Sequence, residues 1–160
     1  MDRPLVLPVV NAEVTHGKNG LGYAELPIPR TEPHPSHAVE LIKDYVFQYP
    51  GEINIVAIGP LTNLAMLVRL YPQVVGKVKH LYIMGGAINH CGNMTPQAEF
   101  NIYCDPHAAH IVFHSGIPFT LVPLDVTYQT LMTEKDLERI NQVHSTVSDF
   151  IVESSHYVME

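Results

Sequence analysis

Between residues 36 and 124 the chain alternates between two hydrophobic periods. "SHAVELIKDYVFQY" sets Val39, Ile42, Val46 and Phe47 at helical spacing and stops at Pro50-Gly51, which predicts a helix. "INIVAI" (53–58) is instead an unbroken, β-branched run, the pattern of a strand buried on both faces. After the turn "GPLTN", "LAMLVRLY" (64–71) returns to helical spacing, with Thr62 or Asn63 as its N-cap. "HLYIM" (80–84) predicts a second strand and "PFTLVPL" (118–124) a third. Between them Asp105-Pro106 opens a helix through about His114, with Asp as N-cap and Pro in the first turn.

Downstream, "TEKD" (133–136) is a capping-box start for a helix that leads into a last one near 145–158. Upstream, Pro4, Pro8, Pro27, Pro29, Pro33 and Pro35, with the glycine-rich "HGKNGLG" (16–22), predict mostly loop. Strand, helix, strand, helix, strand predicts an α/β fold, a parallel sheet flanked by helices, with 53–58, 80–84 and 118–123 adjacent. Ligands of such sheets sit beyond the carboxyl ends of the strands. Ile58-Gly59, Met84-Gly85 and Leu124-Asp125 lie at such ends.

The segment 84–101, "MGGAINHCGNMTPQAEFN", leaves on that side. Gly85-Gly86 lets the backbone pass close to a ligand or strand, and Asn93, Glu99 and Asn101 follow with little charge around them. A polar surface loop is the plain reading of that spacing. A strand-to-helix loop of about twenty residues is uncommon without a function, which favours a site. On this reading neither Glu99 nor Asn101 belongs to the core.

Composition narrows the classes. The 160 residues fit one domain, and 46% apolar against 16% charged residues excludes disorder. Nine Lys plus Arg against sixteen Asp plus Glu leave −7, which excludes a nucleic-acid partner. Cys91 and Cys104 form no CxxC, the usage of a reduced compartment. The start "MDRPLVLPVV" lacks a small-residue cleavage site and no stretch reaches a membrane span, so a cytoplasmic chain with no membrane partner is expected. His107, His110 and His114 share a helix face and His34 and His37 lie three apart. No HExxH or carboxylate completes either set, and a solvated face is the default. GxSxG, GxGxxG and Walker patterns are absent.

"VAIGPLTNLA", "YIMGGAINHCGNMTPQAEFNIYCDPHAAHIVFHSGIP" and "LVPLDVTYQT" together resemble the inosine–uridine-preferring nucleoside hydrolases, over about residues 16–140. The resemblance implies a single partial nucleoside hydrolase-like domain over 1–160 and hydrolysis of the N-glycosidic bond of ribonucleosides to ribose and free base. It implies Ca²⁺ as cofactor, with the backbone carbonyl of Ile58 among its ligands. Met84, Asn93, Glu99 and Asn101 match the ribose-holding set, Asn93 and Glu99 towards the 5′-hydroxyl and Asn101 towards the vicinal hydroxyls. His16 and its glycine-rich loop resemble the lid that closes over the nucleoside. The implied partners are a ribonucleoside and further copies of the chain in a homo-oligomer. Amides and one carboxylate suit a polyol, and a carboxylate near the ring oxygen favours an oxocarbenium-like transition state.

One part of the family pattern has no counterpart. Its first strand ends in D-x-D-P-G-x-D-D, the source of the general base and most calcium ligands, whereas Asp2 is the one acid before Glu13. The family's C-terminal His-Asp is also unmatched, and Asp125 in "LDVT" is not one of those ligands. The expectation is an incomplete enzyme missing the N-terminal strand and C-terminal segment of the family, with no catalytic base and Ca²⁺ not retained. The alternative is a non-catalytic ribose-binding or assembly paralogue. Uncovered sheet surface is expected to drive oligomerisation.

Overall fold

The computed structural model describes residues 3–159; Met1, Asp2 and Glu160 lie outside them. In chain order the elements are α1 (Glu13–His16), α2 (Ala38–Gln48), β1 (Asn54–Ala57), α3 (Thr62–Leu70), a 3₁₀ turn (Pro72–Val74) and β2 (His80–Met84). There follow α4 (Phe100–Cys104), α5 (Pro106–Phe113), β3 (Phe119–Val122), α6 (Leu124–Thr127), α7 (Glu134–Asn141) and α8 (Thr146–Met159). The chain divides into two compact units, residues 1–9 with 34–130, and residues 10–33 with 131–160.

The first unit holds the sheet, three parallel strands in the order β1-β2-β3, as the alternation predicts. Register runs Ile55↔Leu81 and Ala57↔Ile83 on one side, and Leu81↔Phe119 and Ile83↔Leu121 on the other. Leu81 and Ile83 are fully buried with Val39 and Val46 of α2, Leu61 and Leu67 at α3, Val74, and Val112 of α5. Each such side chain contributes about 1.5–3 kcal/mol relative to exposure, so this cluster fixes the strand ends that carry the candidate residues.

Two expectations need correcting here. β1 is not buried on both faces: Ile55 and Ala57 pack on the helices, but Val56 is 68% and Ile58 78% exposed. The helices that join the cluster pack with Leu81, Ile83, Ile55 and Ala57, and the alternate residues of β1 lie outside that cluster. Nor is α3 capped by Thr62 or Asn63, because its N-cap is Leu61, with no side-chain cap. One position inside the helix, the Thr62 hydroxyl is taken by a buried acceptor elsewhere, Asp105.

In the second unit Thr133 and Asp136 form the predicted capping box of α7, and α8 follows. Asn19 Oδ1 accepts from the Leu21 and Tyr23 amides at 3.0 Å each, which folds the glycine-rich loop on itself. The Tyr23 ring meets Tyr157 edge-on at 5.3 Å. Among the described residues no helix is long and apolar enough to cross a membrane.

Candidate active site

The structure gathers Met84, Asn93, Glu99 and Asn101 at the carboxyl end of β2. What was expected to be one long loop closes with α4, and Glu99 is the N-cap of that helix. Its carboxylate accepts from the backbone N–H of Asn101 (2.9 Å), Ile102 (3.1 Å) and Gly86 (3.0 Å). Gly86 reaches it because its φ is +79°, a left-handed value that glycine adopts without penalty. An acceptor side chain at N-cap satisfies amides that the first helical turn leaves unpaired. Here the cap also binds the end of the strand.

Glu99 is therefore 2% and Asn101 8% exposed, against the expectation that neither belongs to the core. The physical reason is the cap geometry, which turns the carboxylate into the fold to meet its three donors. Asn101 Nδ2 donates to the Met84 carbonyl at 3.1 Å and lies 3.3 Å from the Met84 sulfur. A carbonyl only accepts, so the amide nitrogen is the atom that faces β2 and Oδ1 points away from it. Asn93, exposed, accepts from the Phe100 amide through Oδ1 at 2.8 Å, which leaves its Nδ2 for other partners.

The loop between is built to hold this arrangement. Gly92 donates to the Pro96 carbonyl and Met94 to that of Ala98, and a Cβ on Gly92 would run into the Ala98 carbonyl oxygen. Asp125, at the start of α6, accepts from Ile88 (2.9 Å) and Asn89 (2.7 Å). The Ile88 amide foremost, then that of Asn89 and the nearby His90, hold its carboxyl below the ordinary value. The His90 ring stacks on Tyr128 at 4.6 Å. Sequence reasoning set Asp125 aside as no ligand and missed this clamp, whose donors lie thirty-six and thirty-seven residues away.

Asp105 is the second hub. It is fully buried and, as expected, N-caps α5, accepting from Ala108 at 3.0 Å. Its other oxygen accepts from Thr62 Oγ1 (2.7 Å) and the Leu5 amide (2.9 Å). Between Glu99 and Asp105 sits Cys104, whose thiol is pushed up first by burial and then by those two carboxylates. Cys91 is exposed and both cysteines are free.

Ile58 follows β1 directly, one residue beyond the Ala57↔Ile83 pair and so at the same end of the sheet as Met84. His16 is exposed and closes α1 in the second unit. Among the described residues no three His, Cys, Asp or Glu side chains are placed to hold a metal ion.

The profile of the family described as "Inosine-uridine preferring nucleoside hydrolase" matches residues 1–160. The pyrimidine-specific ribonucleoside hydrolase RihA of Photobacterium profundum is 39% identical over 157 residues, covering 98% of this chain and 50% of that protein. Among solved structures, the purine-preferring ribonucleoside hydrolase from Gardnerella vaginalis superposes with a TM-score of 0.92 at 30% identity, covering 99% of this chain and 51% of the other. The plant nucleoside hydrolase PpNRh1 gives 0.87 at 38% identity, over 93% and 47%. The chain spans about half the length of the curated relatives it matches.

Proposed function

The chain belongs to the inosine-uridine preferring nucleoside hydrolase family, and from that premise we propose that it supplies the ribose-holding part of a nucleoside N-ribohydrolase site. The reaction is hydrolysis of the N-glycosidic bond of a ribonucleoside to ribose and free base. One observation carries the reading. Asn93, Glu99 and Asn101 converge at the carboxyl end of β2, Glu99 anchored to backbone amides through both oxygens and each asparagine through one polar atom, with Asn93 Nδ2 and Asn101 Oδ1 left over. Rigid donors and acceptors of this kind suit neutral hydroxyls, because a ribose then binds without reorganising its partners. Glu99 adds a fixed negative charge, which favours the positive ring of an oxocarbenium-like transition state.

Orientation is the whole of what these residues perform. Glu99, Asp105 and Asp125 each spend their oxygens on backbone or hydroxyl donors, so none is poised to take a proton from water. Ile58 offers one carbonyl at the neighbouring strand end, in line with a ligand role towards Ca²⁺. One carbonyl alone does not fit an ion that takes six to eight oxygens. That same engagement of every nearby carboxylate favours, as second reading, a ribose-binding chain that does not cleave.

Assaying ribose release from inosine and uridine separates the two. The informative variant is Asn93→Asp, which keeps the acceptor for the Phe100 amide and removes the free donor. If the chain turns over nucleosides, this change lowers kcat/KM by about 10-fold, the worth of one hydrogen bond to a neutral hydroxyl, at unchanged stability. Ribose release that Asn93→Asp leaves untouched contradicts the assignment of this cluster to the sugar.

A further inference from the structure

Away from that site, α5 ends on a pair of imidazoles. His110 lies in its last turn and His114 is its C-cap. Their ring centroids are 4.2 Å apart, with the planes tilted by 37°. Nδ1 of His114 is 2.8 Å from the His110 carbonyl oxygen. A carbonyl only accepts, so Nδ1 carries the hydrogen and the lone pair is on Nε2. Histidines that bind metals are held the same way, with one ring nitrogen donating to a carbonyl so that the other is aimed and basic. Both rings are exposed, on the wall of a groove of about 490 Å³ that Arg69, Val75 and Ser115 also line.

We propose that His110 and His114 form a bidentate site for a divalent transition-metal ion of the Ni²⁺, Cu²⁺ or Zn²⁺ class. Two imidazoles on one ion, at metal–nitrogen distances of about 2.0–2.1 Å, hold their ring centres on the order of 4.5–5 Å apart. The observed separation is within a small rotation of that. The field at the carboxyl end of α5 favours a bound cation, and Arg69 across the groove opposes it. No carboxylate lines the groove, so the ion is held by two nitrogens and by water. Such a donor set selects nitrogen-seeking ions over Ca²⁺ and Mg²⁺, which want oxygen. With two protein ligands the site is open and exchangeable, and it pins the last turn of α5 to its cap.

Calorimetric titration of Ni²⁺ into the whole chain at pH 7.5 tests this, with thermal unfolding as a second readout. The expected result is one equivalent bound saturably, an unfolding midpoint raised by roughly 5 °C at 100-fold excess over the dissociation constant, and no competition from Ca²⁺. His110→Gln and His114→Gln should each weaken binding at least about 10-fold, while His107→Gln leaves it unchanged. Arg69→Gln should tighten it, because one facing charge is gone. Absence of saturable Ni²⁺ binding, wild-type affinity in either the His110→Gln or the His114→Gln variant, or displacement by Ca²⁺ would each overturn the proposal.

Discussion

The Gly86 amide donates to Glu99 Oε2 at 3.0 Å, so a single carboxylate joins the end of β2 to the first turn of α4. The same side chain thus has a structural duty besides the one proposed towards a sugar. Glu99→Ala should cost about 2–3 kcal/mol of unfolding free energy, the range for a charged acceptor lost from buried amides. Glu99→Gln should cost less but more than nothing, since its amide nitrogen must face at least one N–H. Denaturant midpoints measure both. Wild-type stability in Glu99→Ala would show that the carboxylate is not the joint between strand and helix.

Asp105 ties three parts of one unit: the α5 cap, Thr62 of α3 and the Leu5 amide. Asp105→Ala should destabilise by about 3 kcal/mol, because it strands donors in a dry interior. Thr62→Val, which keeps shape and removes one donor, should cost about 1 kcal/mol. The two should be non-additive in a double-mutant cycle, with a coupling near that same value. Strict additivity would mean that the 2.7 Å contact carries no energy.

Asp125 makes the loop pH-dependent in a defined direction. Its folded carboxyl is held below the ordinary value of 3.8. The clamp on Ile88 and Asn89 is therefore fully present above that ordinary value and is lost as the pH falls through the lowered, folded one. Hydrogen-exchange protection of those two amides should survive down to pH 4 and collapse below it. In Asp125→Asn, protection should be weaker and flat with pH over that range. Protection that already decays between pH 6 and 4 would contradict the clamp.

How far the sequence carries can be judged from these same residues. The Asp105 cap, the Thr133 capping box and the three parallel strands are legible because their signals are local: an Asp-Pro pair, a four-residue box, short β-branched runs. Family resemblance names Met84, Asn93, Glu99 and Asn101 but not what they do inside the fold. Glu99 meets Gly86 across thirteen residues, Asp125 meets Ile88 across thirty-seven, and Thr62 meets Asp105 across forty-three. No periodicity records a bond made through such a closure. The open side of β1 was illegible for a related reason, since Val56 and Ile58 are as β-branched as Ile55, and only the packing of α2, α3 and α5 sorts them.

The most direct test watches the two side-chain amides that are proposed to touch the sugar. Uridine and 2′-deoxyuridine are titrated into isotopically labelled protein, and the Nδ2 resonances of Asn93 and Asn101 are followed with those of the remaining asparagines and glutamines. The expected result is saturable shifts at Asn93 and Asn101 with uridine, and at least about 10-fold weaker binding of the deoxynucleoside, the worth of one or two lost hydroxyl contacts. Asn54, at the amino end of β1 and so at the opposite end of the sheet from the cluster, should stay still. Equal binding of both nucleosides, or shifts that spare Asn93 and Asn101, would contradict the ribose site.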